Sequence, residues 1–315
     1  MPMKLPRLNK QRLFKDLGYE PHPGQLAVHQ SSASRRILAC GVRWGKTTCA
    51  AMEGIAAVLS PCEKSVGWIV GPNYQVSDRI FRIIHEVLEA HLPHRLESVS
   101  MRERVILVRN LGGGVSELRS KSADNTASLL GEGLSWLVID EAARLREEVW
   151  SGHLSQRLID RAGWALLIST PMGRNWFHRL FQRGQGGDQD FESWNRPSID
   201  NPLLDPSVIE KERALLTAEE FEQEYMAAFI GGLDQCLVCG DPDPDVPGLV
   251  LLVGEECEDA ESFAHVCDVV LSCPRCDAPV DEQGHTYRTV KDGEPFIEAI
   301  ILGPDVPRPS VPIPV

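Results

Sequence analysis

No apolar run in this sequence approaches the roughly 20 residues that cross a bilayer; runs such as GLVLLVG from Gly248 stop far short. The opening MPMKLPRLNKQRLFKD lacks the apolar core of a secretory signal, and no internal repeat recurs along the chain. A cytoplasmic protein with no membrane partner is therefore expected. Collagen, coiled coil and wholesale disorder are excluded by a composition of 43% apolar and 24% charged residues over 315 positions. Basic charge is also in deficit, with 32 Lys and Arg against 45 Asp and Glu, a net of −13. That deficit is local. From Leu233 onward 17 acids face 4 bases, whereas residues 1–232 hold 28 of each. The front part can still present a basic groove to a polyanion, because patches steer association and totals do not.

Cysteine is scarce in the front part and crowded behind it. Cys40, Cys49 and Cys62 sit among apolar residues and read as buried thiols, whereas Cys236, Cys239, Cys257, Cys267, Cys273 and Cys276 share the tail. In the absence of a secretory signal this favours metal over disulfide.

Between Arg35 and Thr170, short Val-, Ile- and Leu-rich runs alternate with helical patterns: RRILAC, SVGWIVG, RVILVR, SWLVID and WALLIST. Runs without strict alternation suit strands buried on both faces of a sheet. CAAMEGIAAVLS reads as a helix, as does SDRIFRIIHEVLEAHL from Ser77, which stops before Pro93. Strands interleaved with helices predict a mostly parallel, three-layer α/β domain. RGQGGDQD, Arg183 to Asp190, reads as a loop. A later helix pair follows, SVIEKERALL and then AEEFEQEYMAAFI, opened by Thr217 and Glu220 at capping-box spacing. The texture then turns to Pro, Asp and Cys, which places a boundary at Gly232 and divides the chain into 1–232 and 233–315.

The chemistry centres on RRILACGVRWGKTTCAA, Arg35 to Ala51. A phosphate-binding loop needs glycine so that backbone N–H groups can surround phosphates, a lysine to reach the terminal ones, and a hydroxyl for Mg²⁺. Gly45, Lys46 and Thr47 meet these needs directly after a strand and at a helix start. A strict motif wants its first glycine at Cys40; here it falls at Gly41, and Val42, Arg43, Trp44 and Thr48 complete the stretch. About ninety residues on, SWLVIDEAA ends a strand in Asp140 and Glu141. One carboxylate can hold Mg²⁺ and the next can orient and deprotonate water. Upstream, Gln25 in PHPGQLAVHQ has an amide able to pair with both edges of adenine. LLISTPMG puts Ser169 and Thr170 at a strand end beside the γ-phosphate.

PHPGQLAVH, ACGVRWGKTT, LLGEGLSWLVIDEAA, STPMGRNWFHRLF, RPSIDNP and FEQEYMAAFI, in this order over about residues 15 to 232, resemble the ATPase domain of phage terminase large subunits. That resemblance implies a P-loop NTPase of the additional-strand, catalytic-glutamate (ASCE) type. It also accounts for a replaced first glycine and an arginine within the loop. By position it implies adenine contact for Gln25, phosphate and metal contacts for Arg43, Gly45, Lys46 and Thr47, Mg²⁺ at Asp140 and water activation by Glu141. Ser169, Thr170 and Pro171 become the motif that couples hydrolysis to DNA movement. The family's motors are rings in which one subunit's arginine reaches the next subunit's γ-phosphate, and Arg119 in ELRSKSADN is the candidate. Implied partners are duplex DNA, a portal ring, a small terminase subunit and further copies of the chain.

Such proteins continue into a nuclease domain longer than the 83 residues that follow Gly232, so nuclease activity is not expected and a separate nuclease is a further expected partner. The tail offers CLVCGD and, after 33 residues, CPRCDAP. Two Cys-x-x-Cys turns let Cys236, Cys239, Cys273 and Cys276 form a tetrahedral Zn²⁺ site of zinc-ribbon type, with an insertion beyond the usual roughly 15 to 20 residues between them. The expected function is an ATP-driven translocase that packages double-stranded DNA. A helicase-like remodeler and a nucleotide-binding, zinc-bridged adaptor are the alternatives.

Overall fold

The computed structural model describes residues 8–230 and two short paired strands, Val290–Lys291 and Glu294–Pro295. Residues 8–172 and 177–228 belong to one compact unit.

Two short helices lead in. Helix α1 (Lys10–Asp16) starts where Asn9 accepts a hydrogen bond from the Arg12 N–H, and α2 (Pro23–Gln30) has proline in its first turn. Strand β1 (Arg35–Cys40) then runs into α3 (Lys46–Leu59). β2 (Lys64–Gly71) feeds α4 (Tyr74–His91), capped by the Asn73 side chain; that cap starts the helix three residues before the predicted Ser77. β3 (Leu96–Ser100), β4 (Val105–Arg109) and β5 (Val115–Ser122) form a meander, followed by β6 (Trp136–Asp140), irregular helical turns and β7 (Trp164–Ser169). Helix α5 (Trp176–Gln185) reaches three residues into the expected 183–190 loop, and β8 (Phe191–Arg196) follows. α6 (Pro206–Leu215) and α7 (Ala218–Glu224) close the unit. The predicted capping box forms, with Thr217 Oγ accepting from the Glu220 N–H and the Glu220 carboxylate from the Thr217 N–H. α7 ends six residues before the expected Ile230.

The eight strands form one mixed sheet in the order β3-β4-β5-β2-β6-β7-β1-β8. Pairings from β5 to β8 are parallel, and β4 is antiparallel to both its neighbours. The expected parallel core holds. β5 had no strand signal because polar residues alternate with its buried Ser116, Leu118, Ser120 and Ser122; β8 is polar and, among the described residues, pairs along one edge, against β1. On one sheet face Leu38, Val138, Leu166 and Ile168 join a core with Ile55, Leu59 and Ile84 of α3 and α4. The intervening Ile37, Leu137, Ile139, Ala165 and Leu167 are equally buried, as strands covered on both faces require. No helix among the described residues is long and apolar enough to span a membrane.

A buried ionic cluster ties the lead-in helices to α3. The Glu53 carboxylate, 1% exposed, accepts from Lys10 Nζ (2.9 Å), His29 Nδ1 (2.8 Å) and Arg36 Nη1 (2.5 Å). The Arg36 guanidinium also lies 4.4 Å from the Trp164 ring centroid. Burial alone would raise the Glu53 carboxyl, but Arg36, the His29 hydrogen bond and Lys10 outweigh it and hold the group well below the ordinary carboxylate range. Its contribution to stability is present above the unfolded value near 4.5 and is lost as pH falls toward its folded value. Glu53→Gln leaves Arg36 buried without its counter-charge, and an expected loss of about 3–5 kcal/mol is measurable by urea unfolding at pH 7. A loss below about 1 kcal/mol would mean that the cluster is solvated in solution.

Candidate active site

Three neighbouring parallel strands, β6, β7 and β1, end on the same side of the sheet, so the segments that follow them meet. After β1 comes the loop 41–45. Gly45 caps α3 with φ 98°, a left-handed conformation that suits glycine, and Arg43 adopts φ 60°. Among the described residues the N–H groups of Arg43, Gly45, Lys46 and Thr47 carry no backbone partner; a helix start leaves such donors free for an anion. Trp44 is fully buried and meets the His22 ring edge to face at 4.6 Å, anchoring the loop to α2. Arg43 and Thr48 are exposed and Thr47 is half-buried.

Lys46 is 8% exposed, and its Nζ donates to Thr170 Oγ1 at 3.0 Å. This bond joins the loop after β1 to the segment after β7. Ser169, fully buried, donates to the Thr170 carbonyl at 2.8 Å, and buried Pro171 follows.

After β6, Asp140 is 1% exposed. Its Oδ1 accepts from the Glu141 N–H at 3.0 Å, whereas Oδ2 is buried with no hydrogen-bond partner among the described residues. Burial first, and then the neighbouring Glu141 charge, push the Asp140 carboxyl up to about 7, against the opposing pull of Lys46 and Arg79. A buried carboxylate oxygen without a hydrogen-bond partner among the described residues is of the donor type that fits a hard divalent cation. Glu141 sits at φ 52°, an uncommon conformation for a side chain of this size, and its Oε2 lies 3.6 Å from Arg144 Nε.

Two predicted residues are engaged within the chain itself. Both ends of the Gln25 amide are engaged by the protein: Oε1 accepts from the His22 N–H (3.2 Å), and Nε2 donates to the Gly45 carbonyl (3.2 Å). Gln25 thus braces the loop. Arg119 lies within β5, opposite Trp68 of β2, and pairs with Glu117; it is not brought to the loop. Cys236, Cys239, Cys273 and Cys276 lie outside the described residues. Arg79, exposed on the second turn of α4, acts on Asp140 and had no sequence signal, because its relevance depends on β2 lying beside β6.

No model of a known protein family matches the chain. Over 246 residues, 70% of this chain, it is 34% identical to the terminase large subunit of Thermus phage G20c, covering 50% of that protein. It is 27% identical to the terminase large subunit of Escherichia phage T5 over 232 residues, 71% of this chain and 51% of that one. The chain therefore spans about half the length of the curated relatives it matches. The solved large-terminase ATPase domain of Thermus phage P74-26 is 33% identical with a TM-score of 0.66, and the match covers 71% of this chain and all of that domain. A large terminase from a thermophilic bacteriophage, solved in complex with ATP-gamma-S, shares the fold with a TM-score of 0.56 at 14% identity, over 66% of this chain and 53% of that one.

The raised Asp140 carboxyl has a definite sign. Between its ordinary value of 3.8 and about 7 the native state binds more protons than the unfolded state, so this group's contribution falls as pH rises across that window. In metal-free buffer Asp140→Asn is expected to stabilise the protein by roughly 2–4 kcal/mol at pH 8, with the gap closing toward pH 4. Parallel stability–pH curves for the two proteins in thermal unfolding would refute the assignment.

Proposed function

We propose, since the chain belongs to the ATPase-domain family of phage large terminases, that it is an ATP-hydrolysing motor that moves double-stranded DNA into a capsid. The observation that carries this reading is the Lys46–Thr170 hydrogen bond, which links the phosphate loop to the strand end beside Asp140 and Glu141. In this reading ATP lies with its phosphates on the free N–H groups at the start of α3, and Lys46 leaves Thr170 to reach the terminal phosphate. Thr170 changes partner as the phosphate arrives or departs, and Ser169, Thr170 and Pro171 pass that change to the rest of the domain.

Asp140 Oδ2 and the Thr47 hydroxyl are the groups that would hold Mg²⁺, which when bound neutralises phosphate charge and fixes its orientation. Glu141 takes the proton of the attacking water as the new P–O bond forms and the bond to the β-phosphate oxygen breaks. Its carboxylate must first give up Arg144, a pair 59% exposed on the arginine side and therefore weak. Gln25 supports adenine recognition through the loop that it braces. Arg43, exposed within the loop, lies beside the phosphates, and Arg119 serves a neighbouring copy in the ring.

DNA is gripped through its phosphates without sequence readout, so binding weakens steeply with salt. The portal ring, the small subunit and a ring of further copies are the partners of the same reading. Zinc at Cys236, Cys239, Cys273 and Cys276 would give the acidic tail a fixed docking surface.

Glu141→Gln is expected to lower orthophosphate release by about 10²–10⁴-fold while a fluorescent ATP analogue still binds. Lys46→Ala should lose both. Wild-type turnover in Glu141→Gln would sink the reading, and strand separation by the protein without capsid would point to a helicase instead.

A further inference from the structure

The sequence RPSIDNP, Arg196 to Pro202, has no role in the chemistry above. In the fold it leaves β8 and runs under the phosphate loop. Ser198 Oγ, fully buried, donates to the Val42 carbonyl at 2.5 Å, and Asn201 Nδ2 donates to the Arg43 carbonyl at 2.7 Å. The loop answers through its own backbone. The Gly41 N–H donates to the Arg196 carbonyl (2.9 Å) and the Val42 N–H to the Glu224 carbonyl (2.7 Å), while the Ser198 N–H donates to the Tyr225 carbonyl (2.7 Å). The loop is fastened along one side to the β8 exit and the end of α7.

A glycine is required at the centre of this fastening. A Cβ on Gly41 would stand 2.4 Å from both Ser198 Oγ and the Tyr225 carbonyl oxygen. Neither is the tip of a flexible chain, so the space cannot be made cheaply.

We propose that Ser198 and Asn201 are positioning residues of the phosphate-binding loop: by holding the Val42 and Arg43 carbonyls they preset its conformation before nucleotide arrives. Trans peptide planes point C=O and the following N–H in opposite directions. A Val42 carbonyl fixed toward Ser198 therefore turns the Arg43 N–H away from it, and this is one of the donors with no backbone partner among the described residues. A bond to the Arg43 carbonyl stabilises the left-handed Arg43 backbone, a conformation unfavourable for residues other than glycine. In a strict loop the leading glycine supplies freedom of conformation; here two side chains impose the conformation from outside.

This inference rests on the ATP-binding reading, and two readouts separate them. Asn201→Asp keeps the Oδ1 that accepts from the Leu203 N–H (3.0 Å) and replaces the donor to the Arg43 carbonyl with a charged acceptor. Ser198→Ala loses the other donor, and Ser198→Thr restores it. Arg213→Ala is the control: it removes a cation stacked 4.2 Å from the Phe221 ring centroid in the α6–α7 pair and touches neither carbonyl. In nucleotide-free protein, amide exchange of residues 41–45 is expected to rise about five- to tenfold in Asn201→Asp and Ser198→Ala, with α3 and β1 unchanged. The KM for ATP should rise by a similar factor with kcat within about twofold, and Ser198→Thr should return to wild type. Wild-type exchange in both donor variants overturns the proposal, as does equal loop exchange in Arg213→Ala, which would mean that any loosening of the helix pair suffices. Wild-type protein that binds no nucleotide would refute the ATPase reading alone, since exchange in the free protein still decides the positioning claim.

Discussion

The parallel register of β6, β7 and β1 is the constraint on which the candidate site depends. Asp140 pairs with Ile168, one residue before Ser169, and Ser169 pairs with Ala39, one residue before Cys40. Three sequence-distant segments therefore emerge level with one another, and a lysine at the start of α3 can reach a threonine 124 positions away. A slip of one residue in either pairing would turn the strand's side chains to the opposite face and part Lys46 from Thr170. The apolar residues buried on both faces of these strands hold that register, so the packing of the core and the geometry of the site are one problem.

Two buried carboxylates in the same domain show how partners decide what burial does. Glu53 and Asp140 are each 1% exposed. Glu53 has Arg36, His29 and Lys10 around it and stays charged; Asp140 has one backbone donor, a like-charged neighbour and an empty-handed second oxygen, and its charged form is penalised. The first arrangement fastens the lead-in helices to the helix that carries Lys46. The second stores unfavourable energy where a cation would relieve it, as functional sites do.

The loop itself departs from the strict motif because its neighbours differ. Cys40 is the fully buried last residue of β1 and needs no conformational freedom. Glycine is required instead at Gly41, where Ser198 after β8 and the Tyr225 carbonyl at the end of α7 leave no room for a Cβ. Gln25 follows the same logic: its amide, suited by type to read a base, is engaged by the α2 start and the Gly45 carbonyl.

The sequence by itself determined the elements whose signals are local. Five apolar strands, the helix after Gly45, the Thr217 capping box, the helix-start position of Lys46 and the strand-end positions of Asp140, Glu141 and Thr170 were legible, because periodicity, caps and loop chemistry act over a few residues. β5 and β8 were not, since their polar residues become strand only when a neighbour supplies the ladder. Tertiary structure alone decided that Arg119 lies opposite Trp68 of β2, that Thr170 meets Lys46, and that Ser198 and Asn201 hold the loop. Each of these depends on chain segments far apart in sequence, and proximity of that kind is set by strand order and packing, which no local pattern of residues encodes.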